Sequence, residues 1–267
     1  MIVTSERFMH GLPPSIEAEL RDDIAVLRLA RPRKRNALDD TTIEGIDAFF
    51  RGLPDATKAV VLCAAGEHFS AGLDLTELTK RTTFEAVTHS RTWHRVFHAF
   101  EFGRVPIVAV MHGAVVGGGL ELATASHIRV AERSTYYALP EGIRGIYVGG
   151  GGSVRISRLI GASRMMDMMM TGRTYDAPEG QQLGLSHYLV DDGNGFEKGL
   201  ELARRIASNA PLTNYALMHA LPRIAGTDSD AGYMMESLMS AIASSDAEAR
   251  SRLAAFLEKR GPKATRK

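Results

Sequence analysis

Two short apolar runs separated by a helical pattern constrain this chain more than any other feature. "KAVVLCAA" (58–65) and "PIVAVMHG" (106–113) are short, rich in valine and uninterrupted by polar residues. Such runs read as strands buried on both faces, the signature of a parallel sheet covered by helices. An earlier segment, "IAVLRLA" (24–30), alternates like a half-buried strand. Between the strands, Thr41 or Thr42 is placed to cap a helix through Phe50, and Trp93, Val96, Phe97 and Phe100 give a helix over 84–100 one apolar face. Strands alternating with helices of this length imply right-handed crossovers and an α/β fold with a mainly parallel sheet. After about residue 195 the strand patterns stop. "GFEKGLELARRIASNA", "LTNYALMHALPRI", "GYMMESLMSAIASS" and "AEARSRLAAFLEKR" read as successive helices. The expected organisation is an α/β core over 1–195 and a helical module over 196–267, with the tail "GPKATRK" frayed.

Composition excludes several function classes. The 267 residues carry a formal net charge of +1, which offers no overall attraction to nucleic acid, a membrane surface or an acidic polymer. Any anion site must be local. The single cysteine, Cys63, sits in a buried-strand pattern and reads as a small hydrophobe, and one cysteine makes no internal disulfide. The start lacks the pattern of a secretion signal, and no apolar stretch approaches the roughly 20 residues that span a bilayer. A cytoplasmic, reduced protein with neither membrane nor nucleic-acid partner is expected. His94 and His98 share a helix face, yet no third ligand stands at useful spacing, so no metal is expected. Ser70 in "HFSAGL" lacks the G-x-S-x-G elbow, and "GGGLE" lacks the spacing of a dinucleotide fingerprint. "MMDMMM" (165–170) reads as flexible core packing of a helix.

The chemistry-bearing stretch is "HGAVVGGGLELATASH" (112–127). A strand ends near Gly113, three glycines follow, and a helix is expected to begin near Leu120 with Glu121 just inside it. Amides at a helix start lack internal partners and point outward with the positive end of the dipole, and glycine lets an anion approach them closely. A second loop, "AAGEHFSAGLDLTEL" (64–78), again sets small residues after a buried strand. Two such loops can aim two N–H groups at one oxygen, the arrangement of an oxyanion hole.

With these segments in view the chain resembles the enoyl-CoA hydratase/isomerase, or crotonase, family over nearly its whole length. "LARPRKRNALD", "HFSAGLDL", "HGAVVGGGLELA", "ALPEGIRGIYVGGGGSVRISRLIG" and "AAFLEKR" match its segments in order. The resemblance implies a crotonase-like (ClpP/crotonase) α/β fold of repeated ββα units with a helical C-terminal trimerisation module. It implies backbone amides of Leu73 and Gly118 as the oxyanion donors, Glu121 and Glu141 as the acid pair, and Gly149 as a further backbone donor to water. Two carboxylates suit addition of water across a double bond, whereas a single acid would favour an isomerase. No cofactor is implied, because the CoA thioester is itself the substrate. CoA contacts carried over by the resemblance are Arg33, Lys34 and Arg35 in "RPRKR", the bend around Ala71, Leu73, Asp74 and Leu75, and Phe256 with Lys259, reaching from a neighbouring subunit. That last assignment assumes a homo-oligomer, and the resemblance implies a trimer or dimer of trimers. Finer likeness in length, in the glutamates and in "YVGGGG" implies 3-methylthioacryloyl-CoA as substrate, with crotonyl-CoA also hydrated. Relatives often have proline where this chain has Val148, and with the glycine run 149–152 this departure leaves the shape of the turn open; a looser turn would accept unusual acyl groups.

Overall fold

In the computed structural model, residues 11–77 and 81–258 are described. Their strands run β1 (Ile16–Arg21), β2 (Ile24–Leu29), β3 (Ala59–Ala64), β4 (Ile107–Met111), β5 (Ala114–Val116), β6 (Ile128–Glu132), β7 (Tyr136–Ala138), β8 (Thr174–Asp176) and β9 (Tyr188–Val190). The larger sheet has the order β1-β2-β3-β4-β6-β9 and the smaller one β5-β7-β8. Within the large sheet β1 and β2 pair antiparallel, and every later pairing is parallel. The two apolar runs that opened the reading are β3 and β4, buried at every position. β2 departs from the expected half-burial: it lies between β1 and β3 and is buried except near Arg28.

The helices of this part are α1 (Asp40–Arg51), α2 (Thr83–Glu101), α3 (Gly118–Thr124), α4 (Gly152–Ile160), α5 (Ala162–Thr171), α6 (Ala177–Leu183) and α7 (Gly195–Ala207). Asp39, rather than either threonine, caps α1: its carboxylate accepts from Thr42 N at 2.8 Å and from the Thr42 hydroxyl. α2 starts with a Thr82–Glu85 capping box and buries Trp93, Val96, Phe97 and Phe100, the expected stripe. α3 begins two residues earlier than expected, with Gly117 as its N-cap. In α5 only part of the methionine run is core: Met165, Met168 and Met169 are buried, whereas Met166 and Met170 face out.

A repeating order places the site. Strand β4 is followed by β5 of the small sheet and then α3; β6 is followed by β7 and, after a 3-10 turn, α4; β3 is followed by a bridge from Ser70 to Val115 and later α2. These are the ββα units of the expected fold. Cys63 is buried in β3, where burial pushes its thiol up to about 11.

The chain divides into two compact units, Met1–Arg204 and Arg205–Lys267, so the division falls within α7. The second unit holds α8 (Pro211–His219), α9 (Leu221–Ile224), α10 (Ser229–Ser245) and α11 (Ala247–Leu257). The segment "LTNYALMHALPRI" is two helices rather than one, divided at Ala220 just before Pro222. Asp228 and Asp246 cap α10 and α11 through their carboxylates. Among the described residues no helix is long and apolar enough to cross a membrane.

Candidate active site

The first wall of the site is a loop held by one asparagine. Asn36, fully enclosed and at φ +52°, accepts from Arg31 N and donates to the carbonyls of Ala65 and His68. Its own carbonyl accepts from the Ser70 hydroxyl at 2.8 Å. The chain beyond it pairs with the 70–75 loop: Leu38 N donates to Gly72 O, and Asp74 N donates to Leu38 O, both at 2.8 Å. In extended backbone successive amides point to opposite sides, so the N–H of Leu73 faces away from Leu38. It faces the start of α3. A β-carbon added at Gly118 would stand 3.3 Å from Leu73 N, and one added at Gly72 would stand 3.0 Å from Gly118 N.

Those two amides share a further property. Gly118 is the first residue of its helix, so its N–H has no intrahelical partner, and neither it nor the N–H of Leu73 has an acceptor among the described residues. The Ser70–Val115 bridge holds the loops side by side, with Ser70 N on Ala114 O at 2.9 Å and Val116 N on Ser70 O at 3.0 Å. Two unpaired donors from separate loops therefore stand next to each other, as an oxyanion hole requires.

Both expected carboxylates are buried beside them. Glu121 projects from the first turn of α3, and its Oε1 accepts from Gly150 N at 2.8 Å and Gly152 N at 2.7 Å. Burial pushes its carboxyl above the ordinary range, while the amides of Gly152 and Gly150, the Arg155 charge and the amide of Gly149 oppose that rise. Glu141 follows β7 and leads into the 3-10 turn Gly142–Arg144. Its Oε1 lies where a β-carbon on Gly117 would be, 2.6 Å away, and its Oε2 has no hydrogen-bond partner among the described residues. Gly117 is thus doubly required, because its φ of +53° already disfavours a side chain. Burial first, and the Glu121 charge second, push the Glu141 carboxyl up to about 7.

The glycine turn, whose shape the sequence leaves open, is fixed by hydrogen bonds. Val148 is buried, and the turn after it is tied down rather than loose. Besides the two bonds to Glu121, Gly149 O accepts from the Ser90 hydroxyl at 2.6 Å and Gly150 O accepts from Arg155. A β-carbon at Gly150 would meet Phe97 at 2.9 Å, and one at Gly152 would meet Glu121 at 2.8 Å. Gly151, at φ +95°, caps α4. The glycines at 150 and 152 serve close packing against Phe97 and the Glu121 carboxylate.

One cavity of about 540 Å³ is lined by Leu73, Gly118, Glu121, Glu141, Gly149 and Gly150 together. Its far wall comes from α2, where Ser90, Trp93 and His94 line it and Trp93 stands against Gly118. Burial lowers the pKa of His94, with Arg91 and Arg155 adding to the effect, so the ring favours its neutral form. Ser90 and His94 were not singled out together by the sequence reading. Their one available signal is spacing: they lie one turn apart at the margin of the Trp93–Phe97 stripe. His94 and His98 form no metal cluster, and no group of three metal-ligating side chains stands together among the described residues.

The residues expected to contact CoA are only partly gathered. Lys34 Nζ and Arg31 both reach Asp74 Oδ2, at 3.0 and 3.1 Å, and Arg31 also pairs with Asp39. The Thr76 hydroxyl, then Lys34 and Arg31, hold the Asp74 carboxyl well below the usual carboxylate range. Asp74 therefore organises the basic loop from within. Arg33 and Arg35 are exposed, Ala71 donates its N–H to Arg35 O, and Leu75 begins an exposed 3-10 turn. Phe256 is exposed on α11 of the second unit, and Lys259 lies outside the described residues.

Comparison with known proteins agrees with this geometry. The family model described as enoyl-CoA hydratase/isomerase matches residues 19–267. The short-chain-enoyl-CoA hydratase of Clostridium acetobutylicum is 30% identical over 245 residues, covering 91% of this chain and 94% of that protein. A crystal structure from Rhodopseudomonas palustris, carrying a provisional enoyl-CoA hydratase name, superposes with a TM-score of 0.90 at 52% identity, over 93% of this chain and 96% of the other. The enoyl-CoA hydratase of Bacillus anthracis superposes with a TM-score of 0.86 at 29% identity, over 93% and 98%. Since the family match spans both units and its fold carries paired amides and paired acids into one cavity, the chain belongs to the enoyl-CoA hydratase/isomerase family.

Proposed function

We propose that this chain hydrates 2-enoyl-CoA thioesters. The observation that carries the reading is the meeting of two acceptor-free amides and two buried carboxylates of unlike surroundings in one cavity. The thioester oxygen sits between the N–H groups of Leu73 and Gly118, which hold the charge that develops there; one such donor is typically worth about 3 to 4 kcal/mol in the transition state. Glu121, whose ionised form the amides of Gly150 and Gly152 favour against the opposing effect of burial, takes a proton from a water also held by Gly149 N–H, and the oxygen adds to C3. Glu141, whose raised pKa keeps a proton available near neutrality, delivers that proton to C2 as the enolate collapses. The reaction draws on no cofactor beyond the CoA of its substrate. Arg33, Lys34 and Arg35 face the CoA phosphates, the Ala71–Leu75 bend holds the adenine and pantetheine, and Phe256 and Lys259 reach the nucleotide of a neighbouring copy in a trimer or dimer of trimers.

Mixing the protein with crotonyl-CoA should bleach the conjugated ultraviolet absorbance. Glu121→Ala and Glu141→Ala should each remove most turnover, and a normal rate in either variant would defeat the assignment. A single-acid isomerase is the neighbouring reading; conversion of a 3-enoyl-CoA that survives loss of Glu121 would favour it.

The finer substrate we propose is 3-methylthioacryloyl-CoA, supported by the likeness of chain length, glutamate positions and the "YVGGGG" turn to 3-methylthioacryloyl-CoA hydratase. Water added at C3 gives a hemithioacetal that expels methanethiol and leaves an aldehyde. A second water then cleaves the thioester, with Glu141 as nucleophile or base, and the free acid loses carbon dioxide to give acetaldehyde. Methanethiol and free CoA among the products would support this substrate. A stable 3-hydroxyacyl-CoA alone would return the enzyme to general short-chain hydration.

A further inference from the structure

The glycine turn that grips Glu121 has no side chains of its own to hold it. Gly149 and Gly150 flank one peptide unit, and no β-carbon on either side restricts its rotation. A peptide unit is planar and trans, so its carbonyl and its N–H point in opposite directions. At this unit both ends are engaged. The Ser90 hydroxyl donates to Gly149 O at 2.6 Å, and Gly150 N donates to Glu121 Oε1 at 2.8 Å. Ser90, one peptide and Glu121 therefore form a continuous line of hydrogen bonds, in which each bond polarises the next. His94 Nε2 lies 3.4 Å behind the Ser90 oxygen.

We propose that Ser90 is a positioning residue for the hydration reaction: its hydroxyl locks the 149–150 peptide so that an amide, rather than a carbonyl, faces Glu121. With the peptide turned over, a carbonyl oxygen would face the carboxylate and oppose its ionised form. The inference deepens the proposed hydratase reading and rests on it for the role of Glu121. The other charged or titratable groups near Glu121 are Glu141 at the end of the β7 segment, Arg155 on α4 and His94 on α2. Arg155 pairs with Glu101 and donates to Gly150 O, which is the next peptide along. It leaves the 149–150 unit to Ser90, whose hydroxyl makes the 2.6 Å bond, and to His94, which also faces the Gly149 carbonyl.

The test compares wild type, Ser90→Ala and Ser90→Thr. In Ser90→Ala, kcat for crotonyl-CoA should fall about tenfold, the scale of one lost hydrogen bond, with KM within about twofold. The infrared carboxylate band assigned to Glu121, by its absence in Glu121→Gln, should titrate at higher pH than in wild type. Ser90→Thr, which restores the hydroxyl, should return both readouts toward wild type. The proposal is overturned by an unmoved carboxylate titration in Ser90→Ala. It is equally overturned by a raised KM with kcat preserved, or by a threonine variant no better than alanine. Should wild type leave crotonyl-CoA unchanged, the hydratase reading fails by itself, and the carboxylate titration alone decides for or against Ser90.

Discussion

Gly118 shows at the residue scale how little room the site leaves. A β-carbon there would lie 3.0 Å from the Trp93 ring and 3.3 Å from Leu73 N, in the space where an oxygen must sit. Gly118→Ala should therefore lower kcat on crotonyl-CoA by about 10² to 10³, with little change in melting temperature. Glu141 supports a second prediction. Its carboxyl is raised from 4.5 to about 7 in the fold, so the folded state disfavours the charge by about 3 kcal/mol once both states are ionised. Below about pH 4 both states are protonated and the penalty is absent; it grows as pH rises and is complete above about 7. Glu141→Gln, neutral throughout, should melt higher than wild type at pH 8 and like wild type at pH 4. Equal melting at both values would refute the buried charge. The two glutamates were legible because their spacing from the glycine loops matches a motif. Ser90 was not, since it acts on the Gly149 backbone carbonyl, brought to it from a distant part of the chain.

Elements do the positioning, and the 31–38 loop shows how. Asn36 closes its own loop through its bond to Arg31 and ties it to the 65–68 stretch through its bonds to Ala65 and His68, at a backbone angle that asparagine tolerates better than most residues. Asn36→Ala would leave the partly buried carbonyls of Ala65 and His68 without this donor. It should destabilise the fold by about 2 to 4 kcal/mol in denaturant melts and also lower kcat, because Leu73 is held by the same loop. Unchanged stability would show that these bonds are replaceable. The α1 cap was misread by a few residues because several adjacent side chains can serve, and only chain direction selects Asp39. The break at Ala220 was missed because apolar spacing continues across it.

For the whole molecule, the second unit leaves Tyr233, Met234, Leu238, Ile242 and Leu253 exposed on α10 and α11. Apolar helix faces of this kind mark association surfaces. Sedimentation should give a multiple of the 29.0 kDa chain, a trimer or a hexamer, and Leu238→Asp should shift it toward monomer. A wild-type monomer at micromolar concentration would overturn the proposed assembly. Strands β2, β3 and β4, the helices between them, the glycine loops and the helical C-terminal segments could be read along the chain, because periodicity and short motifs are local properties, and the acid pair followed from the family resemblance. The sequence could not say that the amides of Gly150 and Gly152 bind Glu121, that Trp93 stands against Gly118, or that burial raises the Glu141 carboxyl. Those depend on which distant groups share a wall and on how far water is kept from them, and both are set only when the sheets and helices close around the cavity.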